Sequence, residues 1–167
     1  MVICIVGTLL AVALNRLLPY IDEAERVAVL TLESQLRSAL LMVAAQRIVH
    51  GQTANIASLN GTNPMGLLLE VPSNYVGERS AAEQAQVPPR HWYFNLTSRR
   101  LAYRPGRPFG LRGPEASQDH LELEVHVAFG DRNGNGAFEP AADELHGVRL
   151  QRVAGAAWLS RGESERG

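Results

Sequence analysis

The chain has 167 residues, with 16 basic and 17 acidic side chains and a formal net charge of -1. This balance gives no electrostatic reason to expect nucleic acid or another polyanion as a partner. The single cysteine, Cys4, excludes an intrachain disulfide and therefore a small scaffold stapled by disulfides.

The first fifty residues carry two different hydrophobic patterns. Residues 2–14 are apolar almost without interruption, on every side of a helix. From Asp22 onward, apolar residues recur at three- and four-residue spacing, which is typical of an amphipathic helix; they are Val29, Leu32, Leu36, Ala39, Leu40 and Val43. Residues 20–50 contain neither proline nor glycine, and Gly51 stands where a helix commonly ends. The patterns predict one long helix with a hydrophobic half (residues 1–19) and an amphipathic half (residues 20–50).

Pro19 lies where the two halves join. A proline inside a helix removes one backbone hydrogen bond and clashes with the preceding turn. We therefore predict a kinked but continuous helix at Pro19, with two separate helices as the alternative.

The start of the apolar run is unusual for a membrane segment. The run is shorter than the roughly 20 apolar residues that cross a bilayer. It also lacks the basic leader and the small-residue cleavage site of a secretory signal peptide, and helical residues continue past Leu18. We expect Met1 to be an internal start, with a leader and further apolar residues upstream of it.

The residues after the helix suit one small domain, which we place at residues 51–160, followed by a disordered tail at residues 161–167. A loop, with or without a turn of helix, is expected over residues 52–62. Asn63 and Pro64 then predict the start of a short helix with residues 67–69 on its buried side. Residues 72–89 show no regular pattern.

Four strands are predicted over residues 91–96, 100–104, 120–129 and 147–153, with a weak continuation through residues 157–159. The third has the clearest alternation, because every second residue is apolar: Leu121, Leu123, Val125, Val127 and Phe129. The predicted fold class is α+β, a long N-terminal helix packed on a small antiparallel sheet of about four strands.

A polar loop separates the last two predicted strands. Oxygen-bearing side chains at alternating positions, with a glycine at the sixth, are how a loop wraps a Ca²⁺ ion. The candidate calcium ligands are Asp131, Asn133, Asn135, Glu139 and Asp143. Ala142 occupies the twelfth position, where the EF-hand pattern has a glutamate, so Asp143 or Glu144 would have to replace it. A metal-free hairpin turn explains the same residues, and both interpretations stay open.

Catalytic patterns are missing from the sequence. His120, Glu122, Glu124 and His126 share one strand face, but same-face neighbours on a strand lie roughly 7 Å apart, so a single strand cannot converge four ligands on zinc. We interpret them as a solvated face. The sequence contains no nucleophile elbow, no zinc-protease helix motif and no phosphate-binding glycine loop. We do not expect an enzyme.

The segment VICIVGTLLAVALNRLLPYIDEAERVAVLTLESQLRSAL resembles the N-terminal helix of type IV pilins and type II secretion pseudopilins, and the match covers Val2 to about Leu41. The leader, the cleavage and methylation site and the family's buried acidic residue near the mature N-terminus are absent from this sequence. The resemblance implies a pilin-like fold with one membrane pass, a periplasmic domain and a bend at Pro19. It also implies a helix core for the membrane and the filament, formed by Ile3, Ile5, Leu9, Leu10, Val12 and Leu14.

The function that this resemblance implies is structural. The chain would be a subunit of a type IV pilus or a type II secretion pseudopilus, anchored in the inner membrane and assembled by helix packing. Its partners would be other pilin-like subunits, the inner-membrane assembly machinery and the lipid bilayer, and a cell-surface filament would be one product. Calcium in the loops of the C-terminal region is known in major pseudopilins, which favours the calcium interpretation by analogy. The alternatives are a signal-anchored periplasmic binding domain, with or without calcium, and a periplasmic enzyme with an unrecognised site.

Overall fold

The computed structural model describes residues 2–106, 120–136, 138–139, 141–155 and 159, and for residues 2–19 it describes the backbone alone. Helix α1, Val2–Val49, precedes five strands: β1 Tyr75–Arg79, β2 His91–Asn95, β3 Arg100–Arg104, β4 Leu121–Gly130 and β5 Glu144–Ala154. These strands form one sheet in the order β1-β2-β3-β4-β5. The predicted α+β class, a long helix on a small sheet, is confirmed.

Helix α1 runs without interruption through Pro19. Its end at Gly51 is confirmed, because Gly51 has a positive φ of 68° and the Gln52 amide donates to the Arg47 carbonyl at 2.8 Å. This is the usual way in which a glycine terminates a helix. The kink at Pro19 stays a prediction.

The amphipathic half of α1 packs on one face of the sheet. Its buried side chains are Val29, Leu32, Leu36, Leu40 and Ala44. They meet the inner face of the sheet, formed by Trp92, Phe94, Leu101, Tyr103, Leu121, Leu123, Val125, Val127, Val148 and Leu150. Burying each large apolar side chain contributes about 1.5–3 kcal/mol, so this interface is the main source of the domain's stability. Ala39 and Val43, also predicted for the apolar stripe, are half-buried.

The sheet has one more strand than predicted, and it is mixed instead of antiparallel. Strand β1 lies within residues 72–89, which were predicted to be irregular, and it pairs in parallel with β2. The sequence of β1 shows no alternation of apolar and polar residues. The strand is also irregular, because Gly77 at its centre has a φ of 88° and the pairing register shifts between Tyr75 and Glu78. Its pairing is held by tertiary contacts, including a 2.9 Å hydrogen bond from the Trp92 amide to the Asn74 carbonyl.

The predicted short helix after Asn63 exists as a single 3-10 turn, Pro64–Leu67, and the Asn63 side chain accepts a hydrogen bond from the Met65 amide. Pro64 and Met65 are buried. The predicted buried side at residues 67–69 is confirmed in part, because Leu67 and Leu68 are half-buried against the core. Leu69 is fully exposed, since the 3-10 turn ends at Leu67 and Leu69 is no longer on a helical face.

The other strands follow the prediction closely. Strands β2 and β3 form the expected hairpin, and the five predicted inner residues of β4 all contact the core. Residues 52–62, predicted to be a loop, contain a further 3-10 segment, Thr53–Leu59. The predicted continuation at residues 157–158 and the tail at residues 161–167 lie outside the described residues, while Leu159 is buried in the core.

Two carboxylates of α1, Glu25 and Glu33, fasten the helix to the sheet. The Glu25 carboxylate accepts hydrogen bonds from the Tyr103 hydroxyl at 3.0 Å, the Gly106 amide at 2.8 Å and Arg90 Nε at 2.9 Å. Burial, together with the Glu25 charge, raises the pKa of Tyr103. The phenol therefore stays protonated and donates to Glu25.

The second carboxylate, Glu33, is only 3% exposed. Arg152 on β5 donates from Nε to Oε2 at 2.9 Å and to Oε1 at 3.1 Å, and its terminal nitrogen lies 2.8 Å from Oε2. Arg37 adds a contact to Oε1 at 3.0 Å. A buried carboxylate with a two-pronged arginine partner is costly to leave unpaired. The pair therefore sets the position of β5 against the helix.

Replacing Arg152 by alanine should destabilise the domain by about 2–4 kcal/mol, because Glu33 would keep only the exposed Arg37 as its partner. Arg132→Ala is the matched control, since its pair with Glu144 is 70% and 66% exposed and should contribute at most about 1 kcal/mol. Chemical denaturation followed by circular dichroism measures both. Equal losses in the two variants would contradict the assigned role of Glu33.

Candidate functional site

The six residues predicted for the membrane and filament core lie in the first half of α1. They are Ile3, Ile5, Leu9, Leu10, Val12 and Leu14, and for these the backbone alone is described. At a rise of 1.5 Å per residue, residues 2–19 span about 27 Å of helix. Among the described side chains of α1, the first that is fully buried is Val29. The packing role of the six residues stays a prediction.

A continuous stripe of uncharged residues follows the solvent side of the second half of α1. At alternating four- and three-residue spacings, nine positions are exposed and none is charged: Tyr20, Ala24, Val27, Thr31, Ser34, Ser38, Leu41, Ala45 and Ile48. We call this set the outer stripe. The alternating spacing is the seven-residue repeat through which helices pack side by side. The sequence pattern alone did not indicate this stripe, because the buried stripe on the opposite side of the helix is more uniformly apolar.

The composition of the outer stripe suits contact with another helix. Tyr20 and Leu41 are 72% and 53% exposed, so considerable apolar surface faces solvent. Between them, Ser34 and Ser38 are small and allow two backbones to approach closely. Continued toward the N-terminus at the same spacing, the repeat meets only apolar residues in the sequence: Ile3, Val6, Leu10, Ala13 and Leu17.

Where side chains are described, one stretch of helix, Tyr20–Val49, is long and apolar enough to cross a membrane. A core helix of a soluble protein can have the same length and the same apolar composition. In this stretch 33% of the most apolar window is buried inside the domain. Its apolar character is therefore explained in part by packing on the sheet.

The candidate calcium ligands are brought into one loop between β4 and β5. Asp131 accepts hydrogen bonds from the Gly134 amide at 2.7 Å and the Gly136 amide at 2.8 Å. These and neighbouring amide contacts, with Gly136 the strongest, lower the pKa of Asp131. The carboxylate is consequently ionised at neutral pH, as a calcium ligand must be.

Glu139 is the second centre of this loop. It accepts hydrogen bonds from the side-chain amides of Asn133 at 2.9 Å and Asn135 at 3.0 Å, and its own backbone amide donates to Asp143 at 2.8 Å. The three loop carboxylates do not converge, and no group of three or more His, Cys, Asp or Glu among the described residues is arranged to hold a metal. The donor types suit calcium, but binding would require both asparagine amides to turn their oxygens inward.

The outer face of β4 is tied to its neighbour. Arg100 of β3 forms ion pairs with Glu122 at 3.0 Å and with Glu124 at 3.2 Å. The His120 ring meets Tyr93 edge-on, and His126 is half-buried farther along the strand. Glu122 and Glu124 therefore share one arginine, Arg100, as their partner.

Comparison of the chain with protein families, with curated proteins and with solved structures found no match. Helix α1 and the loop between β4 and β5 are therefore the features of this chain that bear on its function.

Proposed function

We propose that this chain is a structural subunit of a type IV pilus or a type II secretion pseudopilus. The hydrophobic half of α1 anchors it in the inner membrane in a single pass, and the domain of residues 51–160 lies in the periplasm. Assembly machinery in the inner membrane then transfers the helix from lipid to a bundle of like helices. The protein works by packing and carries out no chemistry.

The observation that supports this proposal most is that only the second half of α1 packs on the protein's own domain. The helix has 48 residues, but the side chains that it buries in its own domain lie between Val29 and Ala44. A helix of this length extends roughly 70 Å, much farther than a domain of this size needs. The apolar first half requires an apolar environment, which lipid or neighbouring helices supply.

The outer stripe extends the same argument into the second half of the helix. Its residues from Tyr20 to Ile48 cover about 42 Å of helix. A strip of that length and about 10 Å width is smaller than the roughly 800 Å² per partner of a standard interface. The stripe would therefore add to contacts made by the hydrophobic half and would not hold two subunits together alone.

The alternative is a periplasmic binding domain held by an ordinary signal anchor. Such a protein would use residues 2–19 as the membrane anchor, but it would stay monomeric. An alteration of the outer stripe would then have no effect on its state of association, which separates the two hypotheses.

Leu10→Asp should abolish membrane retention and assembly, because an aspartate in the centre of the apolar run costs about 2.5–3.5 kcal/mol in a membrane. Leu96→Asp is the control, since Leu96 lies in the β2–β3 turn and is 51% exposed. Membrane fractionation and crosslinking measure retention and assembly. Unchanged retention of the Leu10 variant would contradict an anchoring role for this segment.

Ser38→Glu should weaken assembly about tenfold or more while the domain stays folded and membrane-bound, because like charges would face each other across paired stripes. Gln46→Glu introduces the same charge at an exposed helix position outside the stripe and should have little effect. Crosslinked ladders from membranes report assembly. A monomer in both the wild type and the Ser38 variant would favour the tethered domain.

Calcium binding in the loop between β4 and β5 is a second proposal. The observation that favours it is the presence of Asp131, Asn133, Asn135, Glu139 and Asp143 in one loop. Glu139 is hydrogen-bonded to Asn133, Asn135 and Asp143, and Asp131 accepts from the Gly134 and Gly136 amides of the same loop. The ion would replace these hydrogen bonds with oxygen ligands and would hold the β4–β5 connection closed.

Added Ca²⁺ should raise the melting temperature, and a chelator should reverse the rise, because an ion that binds only the folded state stabilises it. Glu139→Gln should remove the effect, whereas Glu70→Gln, which neutralises an exposed carboxylate outside this loop, should keep it. A melting temperature that does not respond to calcium in the wild type would establish the metal-free turn instead.

A further inference from the structure

The loop between β4 and β5 contains two asparagine-glycine pairs in succession, Asn133-Gly134 and Asn135-Gly136, and the chain has a third pair, Asn60-Gly61. We propose that the two loop pairs are sites of spontaneous deamidation in the folded protein and that Asn60 is protected by the fold. The proposal depends on local geometry and on no bound metal. It is independent of the filament function, and because Asn133 and Asn135 are also proposed calcium ligands, it is tested with a chelator present.

The reaction requires no enzyme. The backbone nitrogen of the glycine attacks Cγ of the asparagine side chain, a new N–C bond forms, and the side-chain nitrogen leaves as ammonia. Water then opens the cyclic imide at one of its two carbonyls and gives aspartate or isoaspartate. Glycine favours the first step because it has no Cβ to hinder ring closure and because its backbone adopts a wide range of angles.

The loop pairs have the room that this reaction needs. Asn133, Gly134, Asn135 and Gly136 are all exposed. A Cβ added to either glycine would meet nothing within 4 Å, so no neighbouring group crowds the glycine Cα where the ring forms. The amides of both glycines donate to Asp131, whose exposed carboxylate is also accessible to water. Such surface hydrogen bonds open at little cost, and the asparagines can then reach the reactive arrangement.

Asn60-Gly61 is held on both sides by the domain. The Asn60 side-chain oxygen accepts a hydrogen bond from the Val127 amide at 3.0 Å, and the Gly61 amide donates to the Val125 carbonyl at 2.8 Å. Arg99 also donates to the carbonyls of both residues. Ring closure would require the side chain and the glycine nitrogen to separate from β4, an interior strand of the sheet, and interior strands open less readily than surface loops.

Each loop conversion replaces an amide with a carboxylate beside Asp131 and Glu139. The loop gains one negative charge per event, and the side-chain amide that donates to Glu139 is lost. Like charges at such short range repel. The modified loop should therefore open more easily, which gives the β4–β5 connection an age-dependent change in shape and charge.

The experiment incubates the folded full-length chain in warm, mildly alkaline buffer with a chelator and follows each asparagine by peptide mapping and mass spectrometry. We expect the amide-to-acid mass gain in the peptide that contains residues 133–136, at a rate at least roughly tenfold higher than at Asn60, because reaction at Asn60 first breaks two hydrogen bonds to β4. The same chain unfolded in guanidinium should react at all three pairs at similar rates.

The double variant N133Q/N135Q is the control, because glutamine would form a larger ring and should leave the loop peptide unmodified. Two outcomes would overturn the proposal. One is a loop that stays intact in the folded chain while the unfolded chain reacts. The other is modification of Asn60 as fast as the loop in the folded chain, since the fold would then give no protection.

Discussion

Leu36 and Leu40 have no exposed surface, because the inner face of the sheet covers one side of α1 completely. The apolar packing around them holds the helix and sheet together. Its stabilising free energy is proportional to the apolar area that is buried and does not depend on the relative orientation of the side chains. One helix can press only one side against the sheet. The opposite side, which carries the outer stripe, therefore faces solvent. Its apolar residues, such as Val27 and Leu41, are exposed.

Packing of this kind does not by itself determine where along the sheet the helix sits. The two carboxylates Glu25 and Glu33 do, because each needs specific partners once it is buried. They lie about two helical turns apart and reach different parts of the sheet: Glu25 contacts the middle strand β3 and the residues after it, and Glu33 contacts the edge strand β5. Together they hold the rotation of α1, and with it the direction in which the outer stripe points.

The loop between β4 and β5 depends on different interactions. Its hydrogen bonds join residues that are close in sequence, and most of its residues are exposed. Its conformation can therefore change without disturbing the core, since local opening costs much less than global unfolding. A change in this loop, such as the proposed calcium binding or the proposed deamidation, would therefore alter one end of the β4–β5 hairpin while the helix and its stripe keep their positions.

The features that were predicted correctly all have a local cause. Three- and four-residue spacing marks α1, Gly51 marks its end, and strict alternation marks β4. Strand β1 was missed because its parallel partner β2 lies more than ten residues away and its own residues show no alternation. The burial of Glu33 was missed for a related reason, since its partner Arg152 is 119 residues distant. A local pattern records which side of a segment is apolar, but only the folded chain brings distant partners together and decides which polar residues are enclosed.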